Sequence, residues 1–309
     1  MKKKCLVVGA NGFIGSHLID ALVAHGYPVT AFDRFSGPQQ FGNAPQITVV
    51  RGDFQDSEAV RLALEGVKVV FHYLWTTNPG SSVEKGPIYE VDTNLTSTLQ
   101  LLDLCAKNGV EKIIFPSTST VYGRVSAVPV AEDHRLDPET PHAIAKVATE
   151  RFLAYYYRVY GLESSVFRIG NVYGPGQDPV GGLGFIGAVL GKIHRGEKPV
   201  VFGDGSVVRD FVFIKDVVAA NLAALETESV SQLVMNLGSG RGRSLSSILA
   251  KIETVLGQKI EVNYQPRRVA DIPKVILDIR RISQELGFRP RVRIEDGITQ
   301  TWNWIQRTC

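Results

Sequence analysis

Cysteine is scarce: only Cys5, Cys105 and Cys309 occur in 309 residues, and their spacing matches neither a disulfide framework nor a metal-ligand set. A stapled secreted scaffold is thereby excluded, no metal site is expected, and a reducing cytoplasmic setting is the natural one. Long apolar runs are missing as well. No stretch approaches the roughly 18 uninterrupted apolar residues that a membrane span needs. Met1-Lys2-Lys3-Lys4 and the apolar residues after it imitate a signal peptide, but Gly9, Asn11 and Gly12 interrupt the run and no convincing cleavage site follows. A buried first strand is expected there instead. The formal net charge is only +3, and Lys2, Lys3 and Lys4 form the longest consecutive basic cluster, so nucleic-acid binding is not indicated. Internal repeats and low-complexity tracts are absent too.

What is present describes an ordinary globular chain, with 44% hydrophobic and 21% charged residues. Its length favours one large α/β domain with a smaller companion. Apolar strand patterns at Cys5 to Val8, Pro28 to Asp33, Gln46 to Arg51, Val67 to Tyr73, Lys112 to Ser117 and Glu163 to Arg168 alternate with helical ones. Those helical patterns fall at Phe13 to His25, Ser57 to Leu64, Val91 to Asn108 and Pro141 to Tyr160. Such alternation predicts a parallel sheet covered on both faces. Pro141 near the start and Gly161 just past the end frame the last of these helices. A glycine- and proline-rich shift after Tyr173 marks the start of a second part.

Gly9-Ala10-Asn11-Gly12-Phe13-Ile14-Gly15 directly follows the first strand and opens the first helix. Its glycines permit a tight turn, close approach of backbone N–H groups to a pyrophosphate and close packing of helix on strand. Asn11, Phe13 and Ile14 complete this expected cofactor loop. Asp33 ends the second strand 18 residues past Gly15, where a carboxylate accepts hydrogen bonds from the adenine-ribose hydroxyls and repels a phosphate, so NAD is favoured over NADP. Arg34 is the counter-signal, because a guanidinium can pair with a 2′-phosphate.

From this spacing onward the chain resembles the extended short-chain dehydrogenase/reductase family, in particular its NDP-sugar epimerases and dehydratases. The resemblance implies a doubly wound Rossmann sheet over 1–171, joined by about 211–237, and a smaller mixed α/β substrate-binding domain from 172–210 and 238–309. On the cofactor side it implies roles for Asp53 and Phe54, for Leu74 and Trp75, for Asn94, and for Ile169 and Val172. Trp75 departs from the small residue usual at its position, which narrows the implied pocket.

Ser117-Thr118-Ser119-Thr120-Val121-Tyr122-Gly123 resembles the Ser/Thr-rich strand end of the family, with Thr118 at the catalytic hydroxyl position and in contact with the sugar. His142 and Lys146 lie four residues apart, so one helix face presents both. In the family this pair is tyrosine and lysine; Lys146 matches and would hold the nicotinamide ribose, whereas His142 stands where the phenol belongs. Two roles stay open for His142: a general base, for which neutral imidazole is suited, or a side chain that only shapes the pocket. A water relay through Thr118, or a displaced tyrosine such as Tyr73 or Tyr122, is a further route for the proton.

The substrate side resembles the family at Asn171, at Val201 and Phe202 as a wall for the nucleotide base, at the diphosphate arginines Arg209 and Arg268, and at the ribose acid Asp271. Ser119 and Thr120 replace the acids that dehydratases and decarboxylases carry, so C4 epimerisation of a UDP-sugar with retained NAD is the reaction implied. A reductase or dehydrogenase with exchangeable cofactor, and an NAD- and sugar-nucleotide-binding protein without catalysis, are the alternatives. Relatives form two-fold dimers through helices at the positions of Val91 to Asn108 and Pro141 to Tyr160, which implies a homodimer.

Overall fold

The computed structural model describes residues 2–180, 184–227, 233–267 and 272–308. Two compact units make up the chain, the first from 1–121, 138–168 and 218–235, the second from 122–137, 169–217 and 236–309.

In the first unit the short apolar runs become strands: β1 (Cys5–Val8), β2 (Val29–Asp33), β3 (Ile47–Arg51), β4 (Val69–His72), β5 (Lys112–Thr118) and β6 (Glu163–Ile169). With Leu233–Leu237 they form a seven-stranded sheet, ordered Leu233–Leu237, β6, β5, β4, β1, β2, β3. Pairing from β5 across to β3 is parallel, and Val8 stands in register with Phe32 on one side and His72 on the other. Every residue of β1 and β4 is buried, as continuous apolar runs require when both faces are covered.

The helices are α1 (Phe13–Ala24), α2 (Ser57–Ala63), α3 (Pro79–Glu90), α4 (Thr96–Lys107) and α5 (Pro141–Tyr160). Thr140 caps α5 by accepting from Ala143 N, Pro141 fits its first turn, and Gly161 ends it at φ 70°. Leu6, Phe32, Leu101, Leu102, Phe115 and Leu153 share one buried cluster with Phe54; each such side chain contributes about 1.5–3 kcal/mol on burial.

Helix α3 has no counterpart in the sequence pattern. Asn78 starts it by accepting from Gly80 N and Ser81 N, while the Ser81 hydroxyl accepts from Asn78 N. Gly86, at φ 84°, kinks it ahead of Pro87. Between α3 and α4 the chain makes a π-helical turn over Val91–Leu95, so the single helix expected from Val91 begins with a wider turn.

The second unit holds a three-stranded sheet in the order Gly242–Ser244, Val208–Phe213, Asn171–Tyr173, and a two-stranded one of Asn263–Gln265 with Val200–Phe202. Buried Asp210 organises it, accepting from Ser239 N and Oγ, Gly240 N and Leu277 N. Among the described residues no helix is long and apolar enough to cross a membrane, and no cluster of His, Cys, Asp or Glu is arranged to hold a metal.

Candidate active site

Backbone shapes one half of the site in the first unit. Gly9 leaves β1 at φ 86°, and a Cβ on it would lie 2.7 Å from Leu74 N. On Gly15 a Cβ would lie 2.0 Å from the Gly9 carbonyl oxygen, so α1 can approach β1 this closely only without a side chain. Gly12 precedes α1 and offers no side-chain cap, which leaves the N-terminal N–H groups of the helix to serve an anion. Asp33 steadies the loop, with Oδ2 accepting from Asn11 N (3.0 Å) and Oδ1 from Phe35 N (3.3 Å).

A cavity of about 350 Å³ opens beside this loop, lined by Gly9, Gly12, Asp33 and Arg34 on one side. Asp53, Phe54, Leu74 and Trp75 line the other. Asn11, Phe13, Ile14 and Gly15 build the loop and the first helical turn. Exposed Arg34 lies 3.7 Å from Asp53, a weak surface pair. Asn94 is buried, and its Oδ1 accepts from Thr76 N (2.9 Å) and Thr76 Oγ1 (3.0 Å); it pins the chain beyond Trp75. A glycine cradle, an uncapped helix end and an acid at the end of β2 fit the ADP half of a dinucleotide.

Side chains shape the other half. At the end of β5, Thr118 Oγ1 lies 3.0 Å from Thr120 Oγ1 and accepts from Thr120 N. On α5, Lys146 donates to the Pro116 carbonyl (2.7 Å), and its Nζ sits 3.7 Å from the centre of the Trp75 ring. Trp75 thus covers Lys146, and neither Thr118, His142 nor Lys146 lines the cavity beside the glycine loop. His142 is buried, its ring edge-on to Trp75 at 6.0 Å and its backbone N–H on Ser82 Oγ. One turn past Lys146, Glu150 accepts from Ser117 Oγ (2.5 Å) and from Arg168 Nε and Nη2, a buried ion pair.

His142 is lowered to about 3, by burial first and by the Lys146 charge second, against a hydrogen bond from its ring to the Thr77 backbone that raises it. Burial also pulls Lys146 well below the usual lysine range, against the attraction of Glu90 and Glu150. The imidazole of His142 is therefore neutral at pH 7, with one bare nitrogen, and a weaker base than an ordinary histidine.

Thr77, Ser82, Glu90 and Glu150 surround this centre and were not among the residues singled out from the sequence. Glu90 and Asn94, four apart, were the available signal, but the glycines and Pro87 in α3 disguise the helix that delivers Glu90.

In the second unit a cavity of about 380 Å³ is lined by Asn171, Val201, Phe202 and Arg209, which brings four of the expected substrate residues together. Arg209 Nη1 donates to the Ile272 carbonyl (2.6 Å). Ile169 and Val172 belong to this unit. Arg268 and Asp271 lie outside the described residues. A larger cavity of about 630 Å³, walled by Arg241, Arg243, Arg289, Arg291 and Arg293, carries none of the expected residues.

A parallel sheet with this loop and this acid defines a dinucleotide-binding α/β protein, and a buried histidine–lysine pair stands on one helix beside it. The chain belongs to the NAD dependent epimerase/dehydratase family, whose model matches residues 5–238. It is 33% identical to the UDP-glucose 4-epimerase of Mycolicibacterium smegmatis, over 96% of this chain and 97% of that one. A solved structure of the Thermotoga maritima UDP-glucose 4-epimerase with UDP-glucose superimposes with a TM-score of 0.93 at 36% identity, covering 99% of each chain. The Thermus thermophilus UDP-glucose 4-epimerase with NAD does so with a TM-score of 0.91 at 31% identity, over 99% of this chain and all of that one.

Proposed function

We propose that this protein is an NAD-dependent epimerase of a nucleotide-diphosphate sugar, inverting C4 of a UDP-hexose through the 4-keto sugar. The observation that carries the reading is the pairing of a dinucleotide cradle at Gly9, Gly12 and Asp33 with His142 and Lys146 on one helix, in a chain similar over nearly its full length to UDP-glucose 4-epimerases. The first unit takes the cofactor, and the second takes the nucleotide of the substrate through Asn171, Val201, Phe202 and Arg209.

When bound, NAD supplies reversible hydride exchange with the sugar carbon. Thr118 would orient the sugar hydroxyl, Lys146 would hold the nicotinamide ribose once the Trp75 ring that covers it moves aside, and His142 would accept the hydroxyl proton and later return it. Ser119 and Thr120 provide no acid for elimination, which favours epimerisation over dehydration.

A homodimer fits the outer face of α5, where Ile144, Phe152, Tyr155 and Val159 are exposed at helical spacing. The reaction belongs to the cytosol, where sugar nucleotides and NAD meet.

The test is C4 inversion of UDP-hexoses by wild type, His142→Tyr and His142→Phe. We expect measurable turnover in wild type, retention in the tyrosine variant and a loss of about 100-fold or more in the phenylalanine variant. Equal activity in wild type and His142→Phe removes histidine as the base. Activity confined to His142→Tyr makes the natural chain a binding protein without catalysis.

A further inference from the structure

A buried carboxylate stands at the reaction centre with no part in the scheme above. Glu90 is 1% exposed, and its Oε1 accepts from Trp75 Nε1 (2.7 Å) and Asn94 Nδ2 (3.1 Å), two groups that can only donate. Its Oε2 accepts from Thr77 Oγ1 at 2.5 Å. A hydroxyl carries one proton. With that proton committed to Glu90, Thr77 Oγ1 can act toward its remaining neighbours, Asn94 Nδ2 and His142 Nδ1, both at 3.4 Å, only as an acceptor, and the Thr77 backbone, which also hydrogen-bonds the His142 ring, likewise accepts from it.

We infer that Glu90 is a positioning residue that, through Thr77, keeps the ring proton of His142 on Nδ1 and leaves Nε2 bare as the proton acceptor. The inference rests on the reading of His142 as the base. A neutral imidazole has one N–H, so fixing it on one nitrogen frees the lone pair of the other. The sugar hydroxyl proton would then pass to Nε2 and later leave from it, while the Nδ1 proton stays in place throughout.

A second histidine in the same unit obeys the opposite rule. His72 Nε2 lies 2.9 Å from Thr98 Oγ1, whose own proton goes to the Asn94 carbonyl, and His72 Nδ1 has no hydrogen-bond partner. The same reasoning therefore places the His72 proton on Nε2. The two rings form an internal control.

Glu90→Gln is the decisive variant. The two donors at Oε1 require an acceptor, so the glutamine oxygen takes that position and its NH₂ faces Thr77. The Thr77 hydroxyl, now accepting a hydrogen bond where it used to donate one, is free to donate to His142 Nδ1.

Full-length protein labelled with ¹⁵N-histidine, observed by long-range ¹H–¹⁵N correlation without substrate, reads both tautomers directly. We expect Nδ1–H on His142 and Nε2–H on His72 in wild type and in Thr77→Ser, and a switch of His142 alone to Nε2–H in Glu90→Gln. In that variant kcat should fall by about 100-fold or more, as misplaced tautomers do elsewhere, with KM and NAD binding changed less than about twofold. Nε2–H on His142 in wild type, or an unchanged His142 tautomer in Glu90→Gln, overturns the inference. If Glu90→Gln does not fold, Glu90→Asp, which withdraws the carboxylate from Thr77, takes its place: loss of the Nδ1–H preference supports the inference and its retention overturns it. Turnover with an unresponsive tautomer defeats this inference alone. The expected tautomers without turnover of any UDP-sugar defeat the epimerase reading alone.

Discussion

The two halves of the first-unit site are built from different materials. The loop after β1 is made of backbone: its shape rests on where glycines allow N–H groups and α1 to stand, and the side chain that braces it, Asp33, accepts from the N–H groups of Asn11 and Phe35. The reaction centre is made of buried polar side chains from several elements. Lys146 and Glu150 come from α5, Glu90 from the end of α3, and Trp75 and Thr77 from the segment after β4. A backbone site depends on space, whereas a side-chain site depends on which atom holds each proton.

That contrast can be broken at the loop by a single methyl group. Gly15→Ala places its Cβ within the radius of the Gly9 carbonyl oxygen, so β1 and α1 must part at a cost of about 3 kcal/mol or more. Urea unfolding and NAD titration should both show the loss; a stable variant that binds NAD normally would mean that the close approach is not required.

Acid sharpens the contrast, because it strikes the reaction centre first. His72 and His142 are both pushed down to about 3, by burial first and by Lys146 second. Each stays neutral in the fold while its unfolded counterpart titrates near 6.5, so the stability it contributes is full above pH 6.5 and drains away as pH falls toward 3. The slope is about 1.4 kcal/mol per pH unit for each histidine within that window. Between pH 6.5 and pH 5 the difference in unfolding free energy should therefore shrink by about 2 kcal/mol in His142→Phe relative to wild type. An identical pH slope in the two proteins would show that His142 is not held neutral.

At the rim of the cofactor cavity little should change. Arg34 and Asp53 are both largely exposed and 3.7 Å apart, so Arg34→Ala should alter stability by less than about 0.5 kcal/mol and leave the preference for NAD intact. A marked gain or loss of NADP binding would assign Arg34 to the adenine-ribose pocket.

The same contrast explains what could be read from the residues alone. Gly9, Gly12, Gly15 and Asp33 lie close in sequence and announce a loop after a strand, so this end of the site was legible. Helix α5 was legible as well, because Thr140-Pro141 and Gly161 mark its limits and the spacing of His142 and Lys146 follows. Helix α3 was hidden, since Gly80, Gly86 and Pro87 all argue against a helix, while the Asn78–Ser81 cap, Pro79 in the first turn and packing against α5 stabilise it. Glu90 was lost with it. The partners of His142 are distant in sequence, Thr77 by 65 residues and Ser82 by 60, and no local pattern carries such pairings. Trp75 could be named as a departure, but that its ring would lie across Lys146 follows only from the assembled fold.

The position of Trp75 has an optical consequence. It is the single tryptophan of the first unit, while Trp302 and Trp304 both lie in the last helix, in the second. Its indole donates to Glu90 and lies over Lys146, surroundings that govern how strongly and at what wavelength such a ring emits. The chain therefore contains its own fluorophore at the boundary between cofactor cavity and reaction centre, and ultraviolet excitation can follow events there without any added label.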